Sequence, residues 1–351
     1  MKIEVYSPTI RRKEMDAVLT AMVEERIGPG ERSRLLLQTA KEQLRFDFAL
    51  ALRSPAIALH LALQALDLKD GDAVLISALS PRYYLQVLSD LRLIPMYCDV
   101  SFSFPCMNRE SIEKTINSKS AGVPPRGIVL HHTLGYVPDT ASITELGIPV
   151  IEDISQSYSL PSQDQEKDAA VMQPIRGVFA ILGLEERDML TSGGGALLFA
   201  TNRKDGSLLR AYSNIPAEYC LPDINAALAV VQFREAVRNM ARRREIAQVY
   251  TQASLRAAHK RFVPLDGVDY NNYAFSLVLE TGMKDVAAYA RKKEILVENA
   301  FEQSLAGSGI SDSADCPVSF SLSLRTVLFP LYPRLLSQDI QRVSRLISTL
   351  P

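Results

Sequence analysis

The sequence predicts an α/β protein of two domains, a large one on a mostly parallel sheet with helices on both faces and a smaller α+β domain. Strand-like and helix-like segments alternate through the first two thirds of the chain, and after Pro222 one long helix replaces this alternation. The chain has 351 residues, which is long for one ordinary domain and suits two. We place the large domain at residues 1–235 and the small domain at 236–351, joined by a helix over 223–255.

The first elements follow from apolar runs and the turn residues between them. Residues 56–66, AIALHLALQAL, are apolar at all but two positions and predict a buried helix. A turn at 69–72 then introduces a strand. The same pattern predicts further helices at 83–91 and 140–146 and strands at 73–76, 95–100, 127–130 and 149–151. The last of these strands leads to Asp153, at the carboxyl end of a strand, where open α/β sheets bind ligands.

Two more strands, at 178–182 and 196–200, precede the long helix, and Asp223 is expected to be its N-cap. The second half of this helix carries Arg242-Arg243-Arg244. Such a run fits a solvated helix face, its more common use, or an anion site. The remaining residues predict strands at 274–279 and 326–328 and helices at 284–293 and 337–349.

Composition excludes several classes of function. Hydrophobic residues make up 47% and charged residues 23% of a chain with net charge −1, so no overall field favours nucleic acid or an acidic membrane surface. The N-terminus is charged, and no stretch approaches the roughly 20 apolar residues of a membrane helix. The four cysteines are scattered, and His131-His132 has no further ligand at metal-binding spacing. We therefore predict a cytoplasmic protein without a metal site, nucleic-acid partner or membrane span.

Several short motifs occur in a characteristic order. They are SPAIALHLAL at 54–63, DGDAVL at 70–75, PMYCDV at 95–100, HHTLGYVPD at 131–139, GIPVIEDISQS at 147–157, GGG at 193–195, DINAAL at 223–228 and FPLYP at 329–333. In this order and at this spacing, they resemble the DegT/StrS-type sugar aminotransferases, which are pyridoxal-phosphate (PLP) enzymes of fold type I. The resemblance covers nearly the whole chain. It implies the fold-type-I aminotransferase fold, with a mixed, mostly parallel sheet of seven-stranded type.

The resemblance also implies partners and a pathway. Fold-type-I aminotransferases are homodimers with the active site between two subunits, and the Gly28-Pro29-Gly30 loop is expected near that interface. Their pathways make surface polysaccharides and nucleotide sugars. A small-molecule or nucleotide-sugar ligand, and an active paralogue as a partner, would fit the same setting.

The family's essential lysine is missing. In such enzymes a lysine holds PLP as a Schiff base and an Asp, here Asp153, partners the pyridinium nitrogen. Residues 168–203 contain no Lys. Counting back from Gly193 places the lysine position on Arg187, and counting forward from Phe179 places it on Glu185. A protonated guanidinium is a poor nucleophile and a carboxylate forms no imine, so we expect no catalytic residue and no bound PLP.

The phosphate-binding residues of the family are also altered. In the family's S-G-T motif, backbone amides and a hydroxyl at a helix N-terminus hold the phosphate. Here Ser54 is followed by Pro55, which lacks an N–H, and Ala56, which lacks a hydroxyl. The family's N-Y-R motif, which reaches the phosphate from the neighbouring subunit, corresponds to Glu218-Tyr219-Cys220.

The stacking aromatic of the family is expected near residues 79–81, where no aromatic occurs. Tyr83 or Tyr84 replaces it only if the alignment shifts. The groups that persist, Asp153, Gln156 and the glycines from Gly193, fit either fold remnants or a reused pocket. Without a pyridinium, Asp153 is expected to find another cation, Arg187 by motif position, or to become protonated with a raised pKa.

These observations favour a catalytically inactive homologue that acts as a binding, scaffold or partner subunit. Two alternatives remain open. An active aminotransferase could use a relocated lysine, such as Lys167 or Lys204. A different enzyme could reuse the cleft, with Arg187 and Asp153 as binding groups.

Overall fold

The computed structural model describes residues 2–118, 123–159, 175–280, 282–309 and 314–351. Its helices are α1 (Arg12–Val23), α2 (Glu31–Leu44), α3 (Pro55–Ala65), α4 (Tyr83–Asp90), α5 (Arg109–Ile116), α6 (Thr140–Thr144), α7 (Arg203–Arg210), α8 (Asp223–Ser254), α9 (Met283–Lys292), α10 (Pro317–Arg325) and α11 (Ser337–Ile347). Its strands are β1 (Phe48–Leu52), β2 (Ala73–Ser77), β3 (Ile94–Cys98), β4 (Pro125–His131), β5 (Val150–Asp153), β6 (Phe179–Gly183), β7 (Ala196–Ala200), β8 (Phe275–Val278), β9 (Glu298–Asn299) and β10 (Thr326–Phe329).

Seven strands form one mixed sheet in the order β1-β7-β6-β5-β4-β2-β3. Strands β3, β2, β4, β5 and β6 run parallel, while β7 pairs antiparallel with both β6 and β1. This confirms the predicted fold class. Strand β5 is central in the sheet, so Asp153, its last residue, lies in the middle of the carboxyl edge.

Both faces of this sheet are covered because the inner strands are apolar on both sides. Ile151 and Ile181 belong to the hydrophobic cluster that contains α3 and α4, whereas Ala180 and Phe199 belong to the cluster formed with α2 and α8. Strands β2, β5, β6 and β7 are buried at every residue. Such continuous burial is the pattern expected of a parallel sheet between two helical layers.

The long helix α8 begins one residue earlier than an N-cap at Asp223 requires. Pro222 occupies the N-cap position, and Asp223 is the first helical residue. The Asp223 carboxylate instead accepts hydrogen bonds from the backbone N–H groups of Gly30 (2.9 Å), Arg32 (3.0 Å) and Ser33 (2.9 Å), at the start of α2. The sequence-based N-cap assignment is therefore wrong, because Asp223 caps a different helix.

The C-terminal part of the chain builds a second, antiparallel sheet in the order β8-β10-β9. Helix α11 packs on α8, and the two helices share a hydrophobic cluster with this sheet. The N-terminal segment joins the same region, since Ile3 forms a β-bridge with Ile295. No helix in the described part of the chain is both long and apolar enough to span a membrane.

Candidate functional site

Asp153 accepts hydrogen bonds on both carboxylate oxygens. Its side chain is buried, and the Tyr84 hydroxyl donates to Oδ2 at 2.6 Å while the Tyr83 hydroxyl lies 3.3 Å from the same oxygen. The backbone N–H of Ser155 donates to Oδ1 at 3.1 Å, and the Ser155 hydroxyl donates to it as well. Two tyrosines and a serine therefore surround the carboxylate at the centre of the sheet edge.

Tyr83 and Tyr84 reach Asp153 because they are the first two residues of α4. Their rings pack edge to face, with centroids 4.9 Å apart, and Tyr84 is fully buried. Burial, together with the negative charge of Asp153, raises the pKa of both phenols well above its usual value. Both hydroxyls therefore stay protonated and act as donors.

His131 is the nearest basic side chain to Asp153. The two residues are register partners on β4 and β5, and His131 Nδ1 lies 3.5 Å from Asp153 Oδ2. Burial alone would raise the pKa of Asp153, but His131, Ser155 and Tyr84 together lower it below its usual value.

Arg187, the candidate suggested by motif position, is therefore not the partner of Asp153, and the pKa of Asp153 is lowered where a raised value was the alternative expectation. Arg187 forms two contacts with the carboxylate of Glu298, at 2.6 and 3.3 Å. Its guanidinium lies 5.7 Å from the centroid of the Tyr6 ring. The Arg187 side chain is more than half exposed, so this position points toward solvent and the second sheet.

The loop between β6 and β7 carries the second acid of the site. Asp188 accepts a hydrogen bond from the backbone N–H of Glu185 at 2.8 Å, and its carboxylate lies against Gly183, where an added Cβ would meet it. The Ser155 hydroxyl would meet the same added Cβ, so it lies on the same side of Gly183 as Asp188. Burial raises the pKa of Asp188 to about 7, and the negative charge of Asp153 adds to this effect. Asp188 was not among the predicted site residues.

Gln156 and Gly193 hold backbone turns in the structure. The Gln156 side-chain oxygen accepts from the backbone N–H of Leu134 at 2.7 Å, and Leu134 has a left-handed backbone with φ 54°. Gly193 has φ 72°, in the region that favours glycine. The side chain of Asn225 donates to the Ser192 carbonyl at 2.8 Å and ties this loop to α8.

The candidate phosphate site at the N-terminus of α3 is capped from within the chain. Ser54 is the N-cap, and its hydroxyl accepts from the backbone N–H of Ile57 at 3.3 Å. Pro55 is the first helical residue and Ala56 the second, so this turn offers no hydroxyl beyond Ser54. The backbone N–H of Arg53 donates to the Tyr219 carbonyl at 2.8 Å, which places the exposed residues 218–219 beside the same turn.

A second acid–histidine pair lies next to the first. His132 Nε2 is 3.3 Å from Glu152 Oε2, and its Nδ1 is 2.7 Å from the Ser157 hydroxyl, all three residues being buried. Glu152 also accepts from the backbone N–H groups of Arg176 (2.7 Å) and Gly177 (2.6 Å). These contacts give the pair a structural role. Among the described residues, no group of three His, Cys, Asp or Glu side chains is placed to hold a metal ion.

Comparison with protein families identifies the family to which this chain belongs. The sequence model of the DegT/DnrJ/EryC1/StrS aminotransferase family matches residues 8–348. The chain belongs to this family. The resemblance found in the sequence motifs is thereby confirmed over nearly the whole chain.

Individual relatives of this aminotransferase family are distant in sequence. EpsN of Bacillus subtilis (strain 168), named as a pyridoxal phosphate-dependent aminotransferase, is 22% identical over 318 residues, which are 85% of this chain and 80% of EpsN. The aminotransferase TlmJ from Streptoalloteichus hindustanus superposes with a TM-score of 0.84 at 18% identity, covering 99% and 98% of the two chains. The PLP form of Spr1654 from Streptococcus pneumoniae, named as a sugar aminotransferase, gives 0.84 at 15% identity, covering 99% and 98%.

Sequence reasoning found Asp153 but missed much of what surrounds it. Tyr83 and Tyr84 entered only as substitutes for a stacking ring, and neither Asp188 nor Tyr6 was considered. One missed residue had a usable signal. Arg243 falls at helical spacing with Met240 and Ala247, both buried on α8, so its burial could have been predicted.

Proposed function

We propose that this chain is a non-catalytic member of the aminotransferase family and acts as a binding or partner subunit. The observation that carries the proposal is that both carboxylate oxygens of Asp153 already accept hydrogen bonds from groups of the chain itself. Its Oδ2 atom already accepts from Tyr84 at 2.6 Å and lies within 3.5 Å of Tyr83 and His131, and its Oδ1 atom accepts from Ser155. A pyridinium would have to displace these groups from a buried site.

The loop that should hold the lysine supports the same conclusion. Arg187 pairs with Glu298, and the Glu185 carboxylate accepts from the backbone N–H of Gly195 at 3.4 Å. Neither side chain can form an imine with an aldehyde. Asp188 adds a further carboxylate beside Asp153, which makes the cleft less favourable for the anionic cofactor.

The N-terminus of α3 gives a third line of support. Phosphate sites at helix N-termini depend on free backbone amides and nearby hydroxyls. Here Pro55 has no amide hydrogen, and the Ile57 amide donates to Ser54. The residues present therefore do not fit PLP, and we assign no catalytic step that uses it.

The alternative with a relocated lysine finds little support. Lys204 lies on the exposed side of α7, a helix that packs against β1 and β7 at the end of the sheet. In the strand order, β6 and β7 separate that end from β5 and Asp153. Lys167 lies outside the described residues.

The proposal includes a homodimer in the cytoplasm. Helix α1 and the residues after it expose an apolar stripe at helical spacing, which supports an interface near the Gly28-Pro29-Gly30 loop. The stripe contains Met15, Leu19, Met22, Val23 and Ile27, each more than half exposed. Sedimentation at micromolar concentration should give a dimer, and Leu19→Lys should weaken it. A wild-type monomer would contradict this part of the proposal.

The pathway in the proposal is that of surface polysaccharides or nucleotide sugars. Its support is family membership and the naming of Spr1654 as a sugar aminotransferase. An active paralogue that retains the lysine would be the natural partner of a non-catalytic subunit.

A cofactor titration tests the central claim. PLP is added to the purified chain and to a lysine-containing family member, and absorbance is followed before and after borohydride reduction. We expect an imine signal from the relative alone. A stoichiometric imine in this chain, mapped by mass spectrometry to Lys204 or Lys167, would overturn the proposal in favour of an active enzyme.

A further inference from the structure

Arg243 is the one buried Arg or Lys in the described part of the chain, at 5% exposure. Its Nη1 atom donates to the backbone carbonyls of Tyr273 (2.9 Å) and Leu331 (3.0 Å). No described carboxylate lies within ion-pairing distance of it. A buried guanidinium without a counter-ion is costly, even when carbonyl groups offset part of its desolvation.

The neighbouring arginines differ from Arg243 in this respect. Arg242 pairs with Glu245 at 2.7 Å, and Arg244 pairs with Asp269 at 2.6 Å on the surface. Burial lowers the pKa of Arg243 below its usual value. The arginine run is thus a solvated helix face at its two ends, while its central member is an unpaired interior cation.

Arg243 borders a cavity of about 40 Å³ between the N-terminal segment and the second sheet. The polar residues of its wall are Arg243, Arg187, Tyr6 and Tyr273, and the remainder, such as Ala274, are apolar. No Asp or Glu lines this cavity. Glu298 pairs with Arg187, so Arg243 is the cation of this wall without a described carboxylate in ion-pairing distance; Asp188 lines the adjoining cavity that Arg243 and Tyr6 also border.

The two tyrosines bring no negative charge into this cavity. Burial raises the pKa of Tyr6 to about 12 and that of Tyr273 further above its usual value. The Tyr6 hydroxyl donates to the Glu186 carbonyl, which fixes the ring in the cavity wall. Two neutral phenol rings therefore lie beside one cation, with space for a group the size of one or two waters.

We propose that this cavity binds the carboxylate group of a small organic acid, with Arg243 as its counter-ion. A guanidinium fork matches the planar carboxylate, and a single negative charge balances the one free positive charge. A phosphate dianion is bulkier and carries more charge than the cavity compensates. The inference rests on the proposed function in one respect, namely that this chain binds a ligand without transforming it.

Calorimetric titration of the full-length protein with sodium acetate tests the proposal. Sodium chloride and inorganic phosphate at matched ionic strength are the comparison arms. We expect saturable binding of acetate and a clear preference over chloride and phosphate. Equal binding of chloride, or binding of phosphate alone, would overturn the carboxylate assignment.

Two variants locate the site. Ala274→Leu places a larger side chain in the cavity and leaves Arg243 unsubstituted. Arg243→Lys keeps the positive charge but loses the planar guanidinium group. Each should weaken acetate binding by roughly tenfold or more, Ala274→Leu because it occupies the space and Arg243→Lys because it loses a charge-assisted hydrogen bond. Arg244→Met removes a surface arginine of the same run and should bind acetate like the wild type. Unchanged binding in Ala274→Leu would place the acetate elsewhere.

The proposed carboxylate site and the proposed non-catalytic function can be refuted independently of each other. An imine with PLP would refute the non-catalytic function, while the acetate titration would still report on the cavity. Absence of acetate binding, together with absence of an imine, would refute the carboxylate site and leave the non-catalytic function in place. The Ala274→Leu variant keeps this test valid if Arg243→Lys does not fold.

Discussion

The end of β5 and the loop after β6 each contribute one buried acid to the cleft, and the pKa values of the two acids shift in opposite directions. Asp153 on β5 has hydrogen-bond donors on both oxygens, and its pKa is lowered. Asp188 in the loop has one backbone donor and a neighbouring negative charge, and its pKa rises to about 7. The acid at the strand end is surrounded by donors, whereas the acid in the loop, which contains no lysine, is poorly compensated.

The two acids therefore differ in what determines their charge state. Asp153 matches the family's residue type, and donors from within the chain stabilise its ionised form. Asp188 has no such network, and its charge state depends on pH near neutrality. Pairs of acids whose environments move their pKa values apart often mark functional clefts. The following changes test how far the two regions differ.

The largest effect is expected from Asp153→Ala. The substitution leaves the hydroxyls of Tyr84 and Ser155 without their acceptor in a buried site, and it removes the partner of His131. The free energy of unfolding should fall by about 3–5 kcal/mol, as when one partner of a buried polar pair is removed. Urea unfolding monitored by circular dichroism measures the change.

Two controls accompany Asp153→Ala. Asp153→Asn keeps one acceptor oxygen and should cost less, and Asp70→Ala removes a surface acid and should change stability by no more than about 0.5 kcal/mol. Because the folded pKa of Asp153 is depressed, its contribution is present above the unfolded pKa of about 3.9 and is lost as pH falls below it. An Asp153→Ala variant as stable as Asp70→Ala would show that no such network exists.

Asp188→Asn should act in the opposite direction. The folded pKa of about 7 exceeds the unfolded value of about 3.9, so ionised Asp188 destabilises the fold as pH rises through this window. Relative to wild type, the variant should gain on the order of 1–3 kcal/mol at pH 8 and little at pH 4. Unfolding free energies across pH 4–8 test it, and a pH-independent difference would contradict the assignment.

Gly193→Ala tests whether the triple glycine belongs to the fold or to a ligand site. No atom lies within 4 Å of the added Cβ, so only the left-handed backbone opposes the change. Stability should fall by about 1 kcal/mol. Acetate affinity should remain unchanged, because Gly193 does not line the Arg243 cavity. A loss of acetate binding without a loss of stability would assign the glycine loop to the pocket.

The sequence predicted the framework of this site better than its chemistry. Strand ends follow from short apolar runs, which is why Asp153 could be placed at the edge of a parallel sheet. The partners of Asp153 could not be deduced, because the direction of the Tyr84 hydroxyl depends on how α4 begins. Asp188 depends on the path of a loop. Arg243 is an intermediate case, since its spacing from Met240 and Ala247 was compatible with burial, but the run of three arginines favoured a solvated helix face.

The smallest effect is expected from restoring the lysine, by Arg187→Lys or Glu185→Lys. Neither change frees Asp153 Oδ2 from Tyr84, and neither returns an amide or hydroxyl to the start of α3. Each charge-assisted hydrogen bond to phosphate contributes about 1.5–3 kcal/mol, so two or three missing bonds reduce affinity by several powers of ten. Both variants should resemble the wild type in a PLP titration followed by absorbance, and neither should turn over with glutamate.

The matched test adds Tyr84→Phe to Arg187→Lys, which removes the donor on Asp153 Oδ2. If Arg187→Lys alone binds PLP at micromolar concentration, the tyrosines and the α3 turn do not exclude the cofactor. The loop would then be the sole difference between this chain and an active aminotransferase.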